Sequence, residues 1–380
     1  MRQARRWRGF AFGGLLLGLL GSVAFAADAP APLVYSTISV SEGKATARDK
    51  RGQTRQLGLD PELQAGLQTI LARARPIAGA AVVIEVSTGQ VLAAAEIGTS
   101  RPGELLFEPR APAASVFKLV TTAALYERGG VRPQDRVCTK GGLRDIGEEH
   151  LSPASGPGVV CAPFFHALGV SRNAAYAQLS TERLMRDDLL AVAETFGFNQ
   201  RLPLDVEGQV GSLSVPFNDL EFARTAAGFE NSKLSVFGAA RLALTVAALG
   251  TPPAMHFEAH TQSSERPRVI SETTARRLRK SMEITVHSGT ARDAFRDESG
   301  RNYLGYLQVA GKTGTLKPAK NGPTSNWFVG FAPSEKPTVV VSVLLQISDL
   351  WHQKAPTAAR DVLRLHFARH GARGVTSPLK

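Results

Sequence analysis

From Asp60 onward the order of apolar and polar positions can be parsed into elements. Asp60-Pro61 is a helix start, with aspartate as cap and proline at the first helical position, and Leu63, Leu67, Ile70 and Leu71 then fall on one face. Ala81 to Val86 and Val91 to Ala95 are apolar runs on either side of S-T-G-Q, which predicts a hairpin. After Ser115 the period becomes helical, with Val116, Leu119, Val120 and Ala123 on one side, and the middle of the chain reads as an all-helical lobe. It includes a long apolar helix from Leu234 to Leu249. Three strands follow, Tyr306 to Thr315, Trp327 to Ala332 and Thr338 to Ile347, closed by a helix from Thr357 to Ala368. No internal repeat is visible. Ala27 to Pro32 is a small-residue linker, and Ser36 to Gln56 is polar and receives no assignment.

The N-terminus changes the picture. Arg2, Arg5, Arg6 and Arg8 precede an uncharged run from Gly9 to Ala27 that contains Ala24-Phe25-Ala26, the pattern of an export signal over residues 1–26. The same run is just long enough to serve as an uncleaved anchor. Arg5-Arg6 by itself is a weak twin-arginine signal. The expected order is signal or anchor (1–26), linker and N-terminal segment (27–56), main domain (57–372) and tail (373–380), in an exported, envelope-associated protein. Without the four leading arginines the formal charge falls from +12 to +8. The remaining Lys and Arg are scattered, aromatics are 7%, and neither helix-turn-helix nor zinc-ligand spacing occurs, so no nucleic-acid partner is expected. A diffuse positive field suits an anionic envelope.

Cys138 and Cys161 are the only cysteines. In an exported chain such a pair reads as one disulfide, closing the Gly- and Pro-rich stretch from Gly141 to Gly158. Two buried thiols are the alternative.

Three short motifs carry the chemistry. They are S-V-F-K (Ser115 to Lys118), S-R-N (Ser171 to Asn173) and K-T-G-T (Lys312 to Thr315). Each alone is unremarkable, and S-V-F-K alone is an ordinary helix start. In this order they form the S-x-x-K, S-x-N, K-T-G set of serine acyl-transferases. With them, D-P-E-L-Q, S-T-G-Q-V-L-A, F-G-F-N, D-V-E-G, S-L-S-V-P and H-S-G-T-A give a chain that resembles the transpeptidase domain of penicillin-binding proteins from about Leu59 to Ala368. The resemblance implies an α/β (α+β) fold, a central antiparallel sheet of about five strands flanked by helices, with the helical lobe inserted. The glycosyltransferase domain and long pedestal of larger relatives are expected to be absent.

A serine hydroxyl needs a base within hydrogen-bond reach. Residues three apart on a helix share a face, which sets Lys118 beside Ser115. A second ammonium from Lys312 at about 6 Å would repel that of Lys118 by roughly 3 kcal/mol, about two pKa units, and burial would add to it. By resemblance, Ser171 relays a proton between Lys118 or Lys312 and the leaving amine, and Asn173 holds the substrate while Arg172 faces away. Thr313 and Thr315 bind the terminal carboxylate in the field of Lys312. The backbone N–H groups of Ser115 and Thr315 form the oxyanion hole, and Gly314 keeps side chains clear of a substrate lying along the strand, with Gly311 a second candidate for the same end. His166 and His287 lack metal-ligand spacing and read as packing or capping residues. Glu207 sits where a hydrolytic β-lactamase would place its water-activating glutamate, but G-Q-V-G follows it, and it reads as a loop carboxylate.

The resemblance therefore implies a D,D-transpeptidase acting on D-Ala-D-Ala stem peptides of peptidoglycan through an acyl-enzyme on Ser115. β-Lactam antibiotics would acylate the same serine. No cofactor or metal is expected, and cell-wall synthesis proteins are candidate partners. The rival readings are a D,D-carboxypeptidase or β-lactamase, with water as acceptor, and a β-lactam-sensing domain, disfavoured because only one apolar run is long enough to cross a bilayer.

Overall fold

The computed structural model describes residues 31–259, 266–317, 322–348 and 352–371. The export segment, most of the linker and the tail from 373 lie outside them. The polar stretch after the linker is the first surprise. It forms a small antiparallel sheet of β1 (Ser39–Ser41), β2 (Lys44–Arg48) and β3 (Thr54–Leu57). Only Ala45, Ala47 and Leu57 of these strands are buried, which is too little alternation for a hydropathy period to register.

Helix α1 (Pro61–Ala74) starts as the sequence implies: the Asp60 side chain accepts from the N–H groups of Glu62 and Leu63 at 3.0 and 3.1 Å. The hairpin is β4 (Ala78–Glu85) and β5 (Val91–Ile97). The chain then passes through α2 (Glu104–Phe107), β6 (Ala111–Pro112) and a 3-10 turn at Ala114–Phe117 into α3 (Lys118–Glu127). The lobe that follows is not all-helical. Between its helices α4 (Phe164–Gly169), α5 (Asn173–Arg183), α6 (Arg186–Phe196), α7 (Asp219–Ala227) and α8 (Val236–Ala247) run two small β structures. One is the ribbon of β7 (Arg136–Thr139) and β8 (Val160–Pro163); the other is the sheet in which β10 (Ser232–Leu234) lies between β6 and β9 (Gly211–Leu213). Strands of two to four residues are too short for a period of two to emerge.

Helix α9 (Glu272–His287) and α10 (Arg292–Phe295) lead to β11 (Ala310–Leu316), β12 (Thr324–Ala332), β13 (Val339–Ile347) and α11 (Ala355–Arg369). The third-motif strand begins four residues later than its apolar run. Asn302 folds the preceding segment into a turn, donating to the Leu307 carbonyl and accepting from the Leu304 N–H, and Pro333 ends the facing strand for want of a donor.

The five strands pair antiparallel in the order β11-β12-β13-β4-β5, as the resemblance implies. Both faces are covered. Val82, Ile84, Trp327, Val329, Val340 and Leu344 pack toward the large helical lobe, and Val83, Phe328, Val341, Val343 and Leu345 toward α1 and α11. At the β5 edge the buried amide of Gln64 stands in for a strand: its Nε2 donates to the Ala94 carbonyl at 2.8 Å and its Oε1 accepts the Ala94 N–H at 2.9 Å. Among the described residues no strand lies beyond the opposite edge, β11.

Candidate active site

Ser115 lies in the 3-10 turn, one turn before the α-helix proper. Ala114 is held at φ +49°, a left-handed conformation that costs a non-glycine residue about 1 kcal/mol or more. The surroundings impose it. Trp327 Nε1 donates to the Pro112 carbonyl at 2.9 Å on one side, and Gly228 backs the turn on the other, so close that a Cβ there would lie 2.2 Å from the Ala114 oxygen. Val116 and Phe117 are buried, leaving Ser115 as the half-exposed member.

Lys118 has no exposed surface. Its Nζ is 2.8 Å from Ser115 Oγ and 2.7 Å from Asn173 Oδ1, and it also donates to the Ala227 carbonyl. Two of these partners are acceptors only; the third is a hydroxyl that can give or take a proton. A neutral amine fits this set fully, with two N–H donors for the oxygens and a lone pair for the Ser115 hydroxyl. Burial drives the Lys118 ammonium well below its ordinary pKa, and repulsion from Lys312 adds to it. The repulsion, which alone could be sized from the sequence, is the smaller of the two causes. Mutual repulsion is secondary because Lys312 is itself buried and pushed down to about 7 by desolvation.

Lys312 Nζ donates to Ser171 Oγ at 3.1 Å and to the Thr313 carbonyl at 2.7 Å. Of the two lysines offered to Ser171 by the sequence, its hydrogen bond goes to this one. Ser171 sits at φ +54° just before α5. Arg172 turns away to Thr139 on the ribbon at 3.2 Å, and Asn173 Nδ2 donates to the Leu143 carbonyl at 3.0 Å. The S-V-F-K, S-R-N and K-T-G motifs therefore converge through two lysine-centred sets of hydrogen bonds.

Along β11, the hydroxyl of Thr313 bonds that of Thr290, and Thr315 accepts from Asn326 Nδ2 at 2.8 Å. Gly314 also has a packing reason for its small size. A Cβ there would meet Val116 Cγ2 at 3.1 Å and Ala114 Cβ at 3.2 Å, so the glycine lets the strand press against the serine turn. At Gly311 the obstacle is the Phe328 ring. Glu207 pairs with Lys50 of the N-terminal sheet at 2.6 Å, as a loop carboxylate. His166 packs edge-on to Phe165, and exposed His287 lines a cavity of about 810 Å³ with Phe295, Leu307 and Val309. Among the described residues no group of His, Cys, Asp and Glu could hold a metal. Cys138 and Cys161 face each other across the ribbon and are joined by a disulfide.

The carbonyls of Ala227 and Leu143, and Gly228 behind the turn, were invisible in the sequence because backbone groups leave no residue signature. Thr290 had a signal. It lies in the H-S-G-T-A run, which was read only as a family likeness.

A family model of the penicillin binding protein transpeptidase domain matches residues 79–364. Stage V sporulation protein D of Bacillus subtilis (strain 168) is 29% identical over 249 residues, covering 60% of this chain and 37% of that protein. Peptidoglycan D,D-transpeptidase PbpA of Mycolicibacterium smegmatis is 25% identical over 355 residues, 79% of this chain and 69% of its own length. The chain thus spans about a third of one relative and about two thirds of the other. Among solved structures, the transpeptidase domain of Burkholderia pseudomallei penicillin-binding protein 3 superposes with a TM-score of 0.68 at 25% identity, covering 85% of this chain and 98% of that one.

Proposed function

The chain belongs to the penicillin-binding protein transpeptidase family, and from that premise we propose that it is an exported serine D,D-transpeptidase of peptidoglycan. The observation that carries the reading is the fully buried Lys118 amine, 2.8 Å from Ser115 Oγ and supplied with two acceptors for its N–H groups. Neutral Lys118 takes the Ser115 proton as Oγ attacks the carbonyl between the two terminal D-alanines. The oxyanion is met by the backbone N–H groups of Ser115 and Thr315. Lys312, Thr313 and Thr315 hold the terminal carboxylate, and Asn173 flanks the peptide. As the C–N bond breaks, the leaving D-alanine amine takes a proton through Ser171. An amine of a second stem peptide then attacks the ester, giving up a proton that returns to Ser115, and the cross-link is released.

Water is the competing acceptor, and the site offers it little help. Glu207, the carboxylate a hydrolase would call on, is engaged by Lys50. Without a dedicated base for water, hydrolysis loses about 10²- to 10⁴-fold, so a penicilloyl group on Ser115 should persist. The test is labelling with a fluorescent penicillin followed through to release, beside a mixture of two stem peptides resolved by mass. Stable one-to-one labelling and a cross-linked dimer are expected. Rapid turnover of penicillin, or trimmed peptide alone, would assign the site to hydrolysis. The N-terminus of the envelope-localised protein is expected near Ala27.

A further inference from the structure

What fixes Asn173 also fixes the base, because Lys118 donates to Asn173 Oδ1 while Asn173 Nδ2 donates to the Leu143 carbonyl. Leu143 lies in a stretch with little hold of its own. Gly141 and Gly142 both sit at φ +69°, breaking any regular path, and among the described residues Leu143 to Ile146 make no backbone-to-backbone hydrogen bond. Ile146 is fully buried, yet the Leu143 side chain is 80% exposed. Two side chains reach in from elsewhere. One is Asn173; the other is Arg224, whose Nε donates to the Ile146 carbonyl at 3.0 Å and whose Nη2 meets Asp145 Oδ1 at 2.8 Å. Arg224 stands in the last turn of α7, three residues before the carbonyl of Ala227 that receives another N–H of Lys118. One helix therefore touches the base at Ala227 and, through Arg224, the loop that orients its amide partner.

We propose that Arg224 is a positioning residue for acylation, clamping the Leu143–Ile146 segment so that Asn173 presents its oxygen to Lys118; the inference rests on the serine acyl-transfer reading. The ion pair with Asp145 is not the source of the effect, since that carboxylate is 74% exposed and such pairs contribute little. The fixed carbonyl is.

The experiment compares the second-order rate of fluorescent-penicillin labelling, as a function of pH, in the wild type, Arg224→Gln and Arg224→Lys, with thermal unfolding of each. Arg224→Gln should label about tenfold more slowly, as misplacement of a catalytic group by a fraction of an ångström does, while unfolding at nearly the wild-type temperature. Arg224→Lys, which keeps one long donor, should recover part of the rate. The acidic limb of the Gln variant's profile should move to lower pH, because an amide oxygen that has drifted off no longer stabilises the Lys118 ammonium. A Gln variant within twofold of wild type, a loss that tracks lowered thermal stability, or a slowed variant with an unmoved limb would overturn the proposal. A wild type that never labels overturns the acyl-transfer reading instead, and the positioning role with it.

Discussion

The candidate site has two walls, the Ser115 turn with α3 and the strand β11, and each carries a lysine with no exposed surface, yet they are built differently. Lys118 is surrounded by the serine hydroxyl and two pure acceptors, one a side-chain amide and one a helix-terminal carbonyl. Lys312 has a hydroxyl and the carbonyl of the next residue on its own strand. Burial lowers both ammonium groups. It takes Lys118 well below its ordinary range and leaves Lys312 at about 7. The first wall thus holds an amine whose charged form is strongly disfavoured by burial, and the second a group that changes charge close to neutrality. A substrate carboxylate beside Lys312 would draw its proton back, so binding itself would restore the positive field.

The sharpest way to break this contrast is to remove the first wall. Ser115→Ala should abolish covalent labelling, and Lys118→Ala should slow it by about 10²- to 10⁴-fold in a protein that still folds. A Lys118→Ala variant acylated within a few-fold of wild type would show that some other group takes the proton.

The second wall should reveal itself through pH. The kcat/KM profile reports the free enzyme, so it should fall as pH rises through about 7 for peptides ending in a carboxylate, and stay flat there for the same peptides ending in an amide. Stability moves in the opposite direction. The unfolded chain keeps the Lys312 proton up to the ordinary lysine value of 10.5 while the folded protein releases it near 7, so unfolding takes up a proton between those limits. Stability contributed by this group therefore rises with pH over that window. Lys312→Met should flatten the rise when unfolding is followed at pH 7 and at pH 9; an unchanged slope would mean that Lys312 is charged when folded.

The smallest effect tests whether the two walls separate at all. Thr290→Val removes a hydroxyl partner of Thr313 and touches nothing around Lys118. It should raise KM by several-fold, the worth of one hydrogen bond of about 1 kcal/mol, with kcat nearly unchanged. A fall in kcat at constant KM would mean that the second wall also acts in the chemical step.

Much of this was open to a reader of the sequence. The inner strands of the main sheet, β12, β13 and β4, are buried on both faces and appear as largely apolar runs, and three motifs far apart in sequence meet where β11, the Ser115 turn and the start of α5 come together. The small sheets escaped because β6, β9 and β10 have two or three residues each. The N-terminal sheet escaped because only three of its strand residues face inward. For Lys118 the repulsion from a second ammonium was legible, but burial is the larger cause of its lowered pKa: a spacing of three residues shows who the neighbour is, not how completely water is shut out. At Gly314 room for substrate could be read from the sequence, but the close approach of Val116 and Ala114 could not. Contacts of that kind are decided by tertiary packing, which no local pattern encodes.

The Gln64 amide on β5 has a consequence for how copies of this protein meet. A strand edge with free N–H and C=O groups invites another chain to pair with it, and a sheet bare on both sides can add copies without limit, each offering a fresh edge to the next. Here one side is sealed by a side chain that mimics a strand at Ala94, and the bare side runs along β11. Through the main sheet two molecules could meet at their β11 edges, and the β5 edges left outside would each carry the Gln64 amide at Ala94. The arrangement permits the protein to keep strand β11 exposed without its main sheet becoming the seed of a fibre.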